Sequence, residues 1–451
     1  MLRRKISETL ERWRARSKKA LLLTGARQVG KSFAIRELGK AGFASYYEAN
    51  LLLDADARES LTSARNATDF INRVALLHDK PLVEGNTLVF VDEVQEYPEI
   101  VTLLKALVED GRYSYAFSGS MLGTELKGVT SFPVGSVEHH VMRPMDFEEF
   151  SWAVGVGDEH LQTVRASLRD ETPLEDYLHD AMLRNFRAYM IAGGMPEVVQ
   201  SYVDNGHTLT ETRFLQGQLV SQYAQDISKY AGTRALQVRA VFDRMPVQLE
   251  SPSHRFNVAA LRESARFENS SQDFLWLVNA GVALEVKQAI EAKSPLRRTE
   301  VASKFKLYQS DTGMLLSRYP QGTARSVYLD RKAANLGGVY ENVVAQELTA
   351  HKVDLWYYYS DEVGEVDFSS SFAGTNRMRL NAFREQGHTA VALRLLHDGE
   401  GDAVVSAGST GALLTGATLT VKRIHGIRRA ALAPVFPAGE HGVMLIDCGA
   451  N

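Results

Sequence analysis

The feature that most constrains the fold is a short glycine-bracketed segment, residues 25–32, with the spacing G-x-x-x-x-G-K-[ST]. Glycines let the backbone wrap around a phosphate with its N–H groups pointing inward, and a following helix adds its positive N-terminal end. The spacing therefore indicates a phosphate-binding loop, and the alternative interpretation is a glycine-containing turn on the surface. The apolar run 21–23 before the segment and the helical run 33–38 after it favour a phosphate-binding loop between a strand and a helix.

The same segment provides both a cation for phosphate and a hydroxyl for magnesium. Lys31 is expected to reach the β- and γ-phosphates of ATP, and Ser32 to bind Mg²⁺. The residues predicted to contact ATP are Gly25, Ala26, Arg27, Gln28, Val29, Gly30, Lys31 and Ser32.

A second apolar run, residues 88–91, ends in the acids Asp92 and Glu93. Such a continuous run is typical of a parallel strand that is buried on both faces. Many strands end in acids at a solvated edge, but here Asp92 follows Ser32 by 60 residues and is placed to hold the magnesium ion. Glu93 is then placed to polarise the attacking water. The pair of motifs predicts binding and hydrolysis of MgATP.

Ser118 and Ser120 follow the next apolar run and are predicted catalytic residues, in contact with the γ-phosphate or the water. The alternative role for these two serines is to cap the N-terminus of a helix. The sequence does not decide which arginine would neutralise charge in the transition state; the candidates are Arg27, Arg112 and Arg143. Arg27 lies inside the loop and is expected to contact bound nucleotide or the adjoining domain.

Strands that alternate with helices predict an α/β fold with a parallel sheet and right-handed crossovers. The expected strands are 21–23, 45–48, 88–91 and 113–117, and the expected helical stretches are 33–38, 54–80 and 100–109. Further along, residues 160–250 are helical, and residues 256–290 have the helix, turn, helix and strand order of a winged-helix module. Residues 304–368 contain both helical and strand patterns, with a helix at 340–348 and a strand at 355–359.

After Phe368 the composition changes, because residues 369–451 hold 11 of the 34 glycines. Together with the patterns above, this change divides the chain into four predicted regions: 1–155, an α/β sheet domain with the P-loop; 156–300, helical and winged-helix; 301–368, with mixed helices and strands; and 369–451, a Gly-rich α/β fragment.

The ordered motifs TGARQVGKS, FVDEVQEYP, FSGSML and PMDFEEF resemble those of the bacterial and archaeal ATPases with an AAA-like domain and a C-terminal domain of unknown function. The resemblance continues through AGGMPEVV, SQYAQDISKY, FKLYQSDTGML, GVYENVVAQEL and YYYSDEVGEVDF, and covers about residues 1–368. It implies that residues 1–155 form a P-loop AAA-like ATPase domain, that the helical and winged-helix region 156–300 follows, and that residues 301–368 form a truncated nuclease-like α/β region. Many members carry Gly-Arg after the FSGS-like strand, whereas this chain has Pro133-Val-Gly135-Ser136 there.

The resemblance places Glu341, Glu365 and Asp367 near a nuclease-like carboxylate cluster, where paired acids bind a divalent metal. The Glu-x-Lys strand that commonly follows in such domains is absent after Phe368. We therefore expect a structural remnant of that fold without nuclease activity.

Residues 376–451 resemble an internal stretch of the bacterial phosphate acyltransferase of phospholipid synthesis, most closely at 405–412 and 445–451. That enzyme makes acyl phosphate from an acyl-carrier-protein thioester and phosphate. The strand ends that run into glycine-rich turns suit phosphate contact through backbone N–H groups. We expect a junction near residue 369 between two partial sequences, from natural fusion or from an error in the gene sequence.

Composition narrows the class of protein and its partners. The 451 residues are 45% hydrophobic and 24% charged, with a net charge of −4, which is the balance of a globular protein and disfavours a generally cationic nucleic-acid binder. The single cysteine, Cys448, forms no intrachain disulfide. No apolar run reaches the roughly 18 residues of a membrane span, and the basic N-terminus lacks the apolar core of a secretory signal. The cytoplasm is the expected location.

Three functions follow from these patterns. The nucleotide motifs favour an ATPase that acts as a switch or motor on an unknown protein partner, with an oligomer possible. The second is a phosphate acyltransferase of fatty acid and phospholipid synthesis, through the C-terminal fragment. The third is a DNA-binding ATPase that uses Arg255, Arg262 and Arg266 of the winged-helix region, although protein contact through that region is favoured over DNA.

Limited proteolysis tests the predicted junction. Because an isolated piece of a parallel sheet leaves strand edges unpaired, we expect cleavage near residues 369–374 and a stable fragment of about residues 1–368 that retains ATP binding. A protease-resistant full-length chain that consumes acyl-carrier-protein thioester would contradict this prediction.

Overall fold

The computed structural model describes residues 2–120, 135–170, 172–251, 253–261, 266–291, 296–320, 322–329, 336–360 and 364–369, and the short segments 382–383, 405–406, 435–438 and 441–444. The chain divides into two units. The first comprises residues 1–145 and 275–282, and the second comprises residues 146–274 and 283–451.

The first unit is built on a five-stranded parallel sheet with the order β2-β3-β4-β1-β5. Its strands are β1 (Ala20–Gly25), β2 (Ser45–Asn50), β3 (Thr87–Asp92), β4 (Ser114–Ser120) and β5 (Val137–Met142). Its helices are α1 (Ile6–Arg16), α2 (Lys31–Gly42), α3 (Ala55–Thr62), α4 (Ala67–Leu77) and α5 (Pro98–Asp110).

The central strands are buried along their whole length because their side chains are apolar on both faces. The register then brings their carboxyl ends to one edge of the sheet, where Asn50 lies opposite Asp92 and Gly25 lies opposite Ser120. Polar residues that sequence separates by tens of positions are thereby placed side by side.

The predicted α/β class is confirmed. The predicted helical stretch 54–80 is two helices, because Asp54 and Asn66 each accept a hydrogen bond from a first-turn backbone N–H and so begin separate helices. The sequence did not predict β5. It is an edge strand with polar, partly exposed residues in its middle, and so it lacks an apolar run.

The second unit begins with a series of helices. These are α6 (Phe147–Ala153), α7 (Asp158–Arg169), α8 (Asp176–Ala192), α9 (Pro196–Asp204), α10 (Leu209–Tyr230) and α11 (Ala235–Leu249). Helix α12 (Phe267–Asn279) has residues in both units. In the described part of 256–290, the first predicted helix is only a 3-10 turn, Val258–Ala260, and α12 is the second.

The second unit also contains a mixed sheet with the order β11-β10-β9-β8-β6-β7. The remaining elements are β6 (Ala283–Ala289), β7 (Glu300–Gln309), α13 (Thr312–Ser317), α14 (Thr323–Tyr328), α15 (Gly337–Ala350), β8 (Trp356–Ser360), β9 (Gly364–Ser369), β10 (Ala382–Phe383), β11 (Val405–Ser406), β12 (Val435–Ala438) and β13 (His441–Met444). Apart from these short strands, the predicted acyltransferase-like fragment lies outside the described residues. None of the described helices has the length and apolar character needed to cross a membrane.

A buried ionic cluster joins β7, α15 and β9. The Lys306 ammonium lies 2.6 Å from Asp367 Oδ1 and 3.2 Å from Glu341 Oε2. Tyr308 donates a hydrogen bond to the same Glu341 oxygen at 2.9 Å, and His254 Nδ1 lies 2.6 Å from Oε1. All of these side chains are buried.

The structure therefore brings together two of the acids that the nuclease resemblance singled out, but around a lysine. The side chain of Glu365 lies outside the described ones. Among the described residues, no group of three or more His, Cys, Asp or Glu side chains is arranged to hold a metal ion. The positive charge between Glu341 and Asp367 belongs to Lys306.

Replacing that lysine tests the role of the cluster. Lys306→Met should lower the free energy of unfolding by about 3–5 kcal/mol, because it leaves two buried carboxylates without their cation. Urea unfolding followed by circular dichroism measures the change. Lys304→Met is the matched control, since Lys304 is exposed on the same strand. Equal stability of the two variants would contradict a structural role for the cluster.

Candidate functional site

The loop between β1 and α2 is tightly curved. Gly25, Gln28 and Gly30 have φ angles of +148°, +61° and +96°, all in the region that favours glycine. A Cβ atom on Gly25 would lie 2.0 Å from the carbonyl oxygen of Met142, so only glycine fits there. The glycine spacing read from the sequence thus corresponds to a real requirement of the backbone.

Lys31 is the first residue of α2, and its ammonium is turned into this loop. It donates hydrogen bonds to the carbonyl oxygens of Gly25 at 3.1 Å and Ala26 at 2.8 Å, and the residue is only 7% exposed. Burial is the main cause that lowers the pKa of Lys31, and the charges of Glu93 and Asp92 oppose it. A cation that is buried among neutral carbonyls would be stabilised by an anion in the loop.

Asp92, at the carboxyl end of β3, is the centre of the site. Its Oδ2 accepts hydrogen bonds from Ser32 Oγ at 2.7 Å and from Asn50 Nδ2 at 3.1 Å. Its Oδ1 accepts from the Ser118 hydroxyl and from the Glu93 backbone N–H at 3.0 Å. The carboxylate thereby ties the phosphate loop to the ends of β2, β3 and β4.

The two predicted serines occupy different positions. Both lie within β4, which continues to Ser120, beyond the predicted end of this strand. Ser118 is fully buried and bound to Asp92. Ser120 lies opposite Gly25, and its hydroxyl has no hydrogen-bond partner among the described residues. Ser120 is therefore the serine whose hydroxyl remains available to a group bound in the loop.

Glu93 does not share the role of Asp92. It lies just beyond β3 with φ of +59°, and its Oε2 accepts a hydrogen bond of 2.5 Å from Gln95 Nε2. The left-handed backbone redirects the chain immediately after Asp92, so the two acids have different partners. Among the described residues, the Asp92 carboxylate is bound by neutral donors of the loop and strands, and the Glu93 carboxylate is bound by Gln95.

The three arginines proposed for charge neutralisation are in different places. Arg112 precedes β4, at the amino edge of the sheet, and binds Asp110 through two hydrogen bonds of 2.8 and 3.0 Å. Arg143 follows β5 at the carboxyl edge, where burial lowers its pKa. Arg27 lies close enough to Lys31 to lower the pKa of that lysine. Arg27 and Arg143 are on the same edge as the loop, and Arg112 is not.

The sequence patterns missed three residues of this site. Asn50 and Gln95 bind the two acids, and Arg4 donates to the carbonyl oxygens of Val29 at 3.0 Å and Arg143 at 2.8 Å. A polar residue at the end of a predicted strand was an available signal for Asn50. Arg4 had no such signal because its partners are backbone atoms far away in the chain.

Three protein families match separate parts of the chain. Residues 17–151 match an AAA domain, residues 183–322 match a domain of unknown function, and residues 370–451 match the fatty acid synthesis protein family.

Among curated proteins, the C-terminal part is similar to phosphate acyltransferases. The protein of Clostridium novyi (strain NT) is 43% identical over 97 residues, which is 21% of this chain and 29% of that protein. The protein of Clostridium kluyveri (strain ATCC 8527) is 58% identical over 108 residues, which is 24% of this chain and 32% of that protein. The chain thus spans less than a third of the length of these relatives.

Among solved structures, a Walker-type ATPase of Pyrococcus abyssi aligns with a TM-score of 0.43 at 13% identity, over 70% of this chain and 96% of that chain. The RuvB Holliday junction branch migration motor of Thermotoga maritima aligns with a TM-score of 0.27 at 13% identity, over 63% and 89%. Together with the family matches, the sheet and the loop show that the chain carries an AAA-like P-loop ATPase domain near its N-terminus and a segment similar to phosphate acyltransferases at its C-terminal end.

Proposed function

We propose that this chain binds MgATP and hydrolyses it, and that the nucleotide cycle acts as a switch or motor on a protein partner. The observation that carries the proposal is the hydrogen bond of 2.7 Å between Ser32 and Asp92. It joins the hydroxyl of the phosphate loop to the acid of the neighbouring strand, beside the buried ammonium of Lys31.

These residues fit the two parts of MgATP. Lys31 is placed to exchange its two carbonyl partners for phosphate oxygens, which form stronger, charge-assisted hydrogen bonds. The hydroxyl of Ser32 and the carboxylate of Asp92 offer the oxygen ligands that Mg²⁺ prefers. A metal ion held there by Ser32 and Asp92 would supply positive charge that neutralises the charge developing on the phosphates.

Glu93 is the residue we assign to the attacking water. It is the other acid at the carboxyl end of β3, and its carboxylate accepts a hydrogen bond from Gln95 and not from the loop. A carboxylate beside the phosphate site can accept a proton from the water as it attacks. Ser120 is assigned a contact with the γ-phosphate or the water, on the basis of its position opposite Gly25.

The two other functions have less support. The guanidinium of Arg255 lies 3.8 Å from the ring centroid of Tyr359, so this arginine packs on an aromatic ring, and the net charge of −4 favours protein contact over DNA. Arg262 lies outside the described residues. For acyl phosphate formation, the matching segment corresponds to only about 30% of the relatives, and we expect no acyltransferase activity from it alone.

Glu93→Gln separates binding from hydrolysis. We expect the affinity for MgATP to be unchanged and the turnover to fall by about 100-fold or more, because the side chain keeps its shape but loses its ability to accept a proton. Calorimetry measures the affinity, and release of phosphate measures the turnover.

Glu109→Gln is the matched control, since Glu109 is exposed near the end of α5. An equal loss of affinity and turnover in Glu93→Gln would show that Glu93 is a ligand or a structural residue. Absence of turnover in the wild type would contradict the hydrolase proposal and leave a nucleotide-binding switch.

A further inference from the structure

The side chain of Gln95 lies between the proposed catalytic acid and the end of β4. It belongs to the 3-10 turn Val94–Glu96, which follows Glu93 directly. Its Nε2 is 2.5 Å from Glu93 Oε2, and its Oε1 lies against Gly119, between the two serines of β4. The glutamine therefore touches two of the strand ends that border the proposed γ-phosphate position.

The orientation of the amide follows from chemistry. A carboxylate only accepts hydrogen bonds, so the NH₂ group of Gln95 must face Glu93 and the carbonyl oxygen must face Gly119. That oxygen is buried and has no hydrogen-bond partner among the described residues. A buried carbonyl without a donor is costly and calls for an explanation, such as a group that binds there during function.

We propose that Gln95 is a second water-positioning residue, which acts together with Glu93; this inference rests on the proposed ATP hydrolysis. The attacking water donates one hydrogen bond to Glu93 and the other to Gln95 Oε1, which directs its lone pair at the γ-phosphorus. The water oxygen forms a bond to phosphorus as the bridging P–O bond breaks, and the electron pair of that bond leaves with ADP. Glu93 takes the water proton and passes it to the released phosphate or to solvent.

Gly119 supports this assignment. A Cβ atom at this position would lie 2.4 Å from Gln95 Oε1, and the other neighbours are 3.5 Å away or more. The φ angle of Gly119 is not positive, so the backbone would accept alanine. Glycine is therefore required at position 119 because a larger side chain would occupy the space of the Gln95 amide. Gly119→Ala should displace Gln95 without changing its chemistry.

A double-mutant cycle of Gln95→Ala, Gly119→Ala and the double variant tests the proposal in the full chain. Each single variant should reduce kcat by about 10- to 100-fold and leave the calorimetric Kd for MgATP within about twofold of the wild type. Once the glutamine is truncated, Gly119→Ala has nothing left to displace. The double variant should therefore resemble Gln95→Ala, which is a strongly non-additive result.

Retained MgATP binding shows that each variant is folded, and Gln95→Asn supplies a milder change if alanine disrupts the turn. If the wild type turns over and the Gln95 variants keep its kcat, or if the two single effects simply add, the inference is wrong and the ATPase assignment stands. If the wild type binds MgATP without turnover, the hydrolase proposal fails, and this inference fails with it.

Discussion

The arrangement of the phosphate loop and strand ends in the first unit depends on the hydrogen bonds to the buried carboxylate of Asp92. This carboxylate sits where the register of a parallel sheet aligns the ends of β2, β3 and β4, and it accepts hydrogen bonds from Ser32, Asn50 and Ser118. Hydrogen bonds to a charged group contribute about 1.5–3 kcal/mol each, which offsets the cost of burying the charge. The same bonds fix the position of the phosphate loop relative to the sheet.

Two of the buried acidic sites among the described residues, at Asp92 and at Glu341 with Asp367, differ in what neutralises them. The donors that bind the Asp92 carboxylate are neutral, so its negative charge remains available to the nearby Lys31 ammonium and to the metal ion that we propose enters with the nucleotide. Glu341 and Asp367 instead share the ammonium of Lys306, which already holds the position between them. Acids that look alike in a sequence can therefore support ligand binding in one place and stability in another. The partner that neutralises the acid decides whether it supports ligand binding or stability.

Much of the nucleotide site could be predicted because its signals are local. The loop at residues 25–32 and the acids after β3 are contiguous in sequence, and the backbone angles of the loop explain its glycines. Gln95, Arg4 and Lys306 could not be predicted in their roles, because each depends on which residue the tertiary fold places beside it. Strand β5 was missed because an edge strand can have a polar middle. The domain boundaries predicted from the sequence, including the one that composition indicates near residue 369, remain predictions.

Nucleotide titration calorimetry tests the central claim most directly. The full-length wild type and the variants Lys31→Ala and Asp92→Asn are titrated with ATP, once with Mg²⁺ and once with EDTA. We expect the wild type to bind ATP more tightly with Mg²⁺, Lys31→Ala to lose binding in both conditions, and Asp92→Asn to lose only the magnesium-dependent gain. Unchanged affinity of Lys31→Ala for MgATP would contradict the assignment of this loop as the nucleotide site.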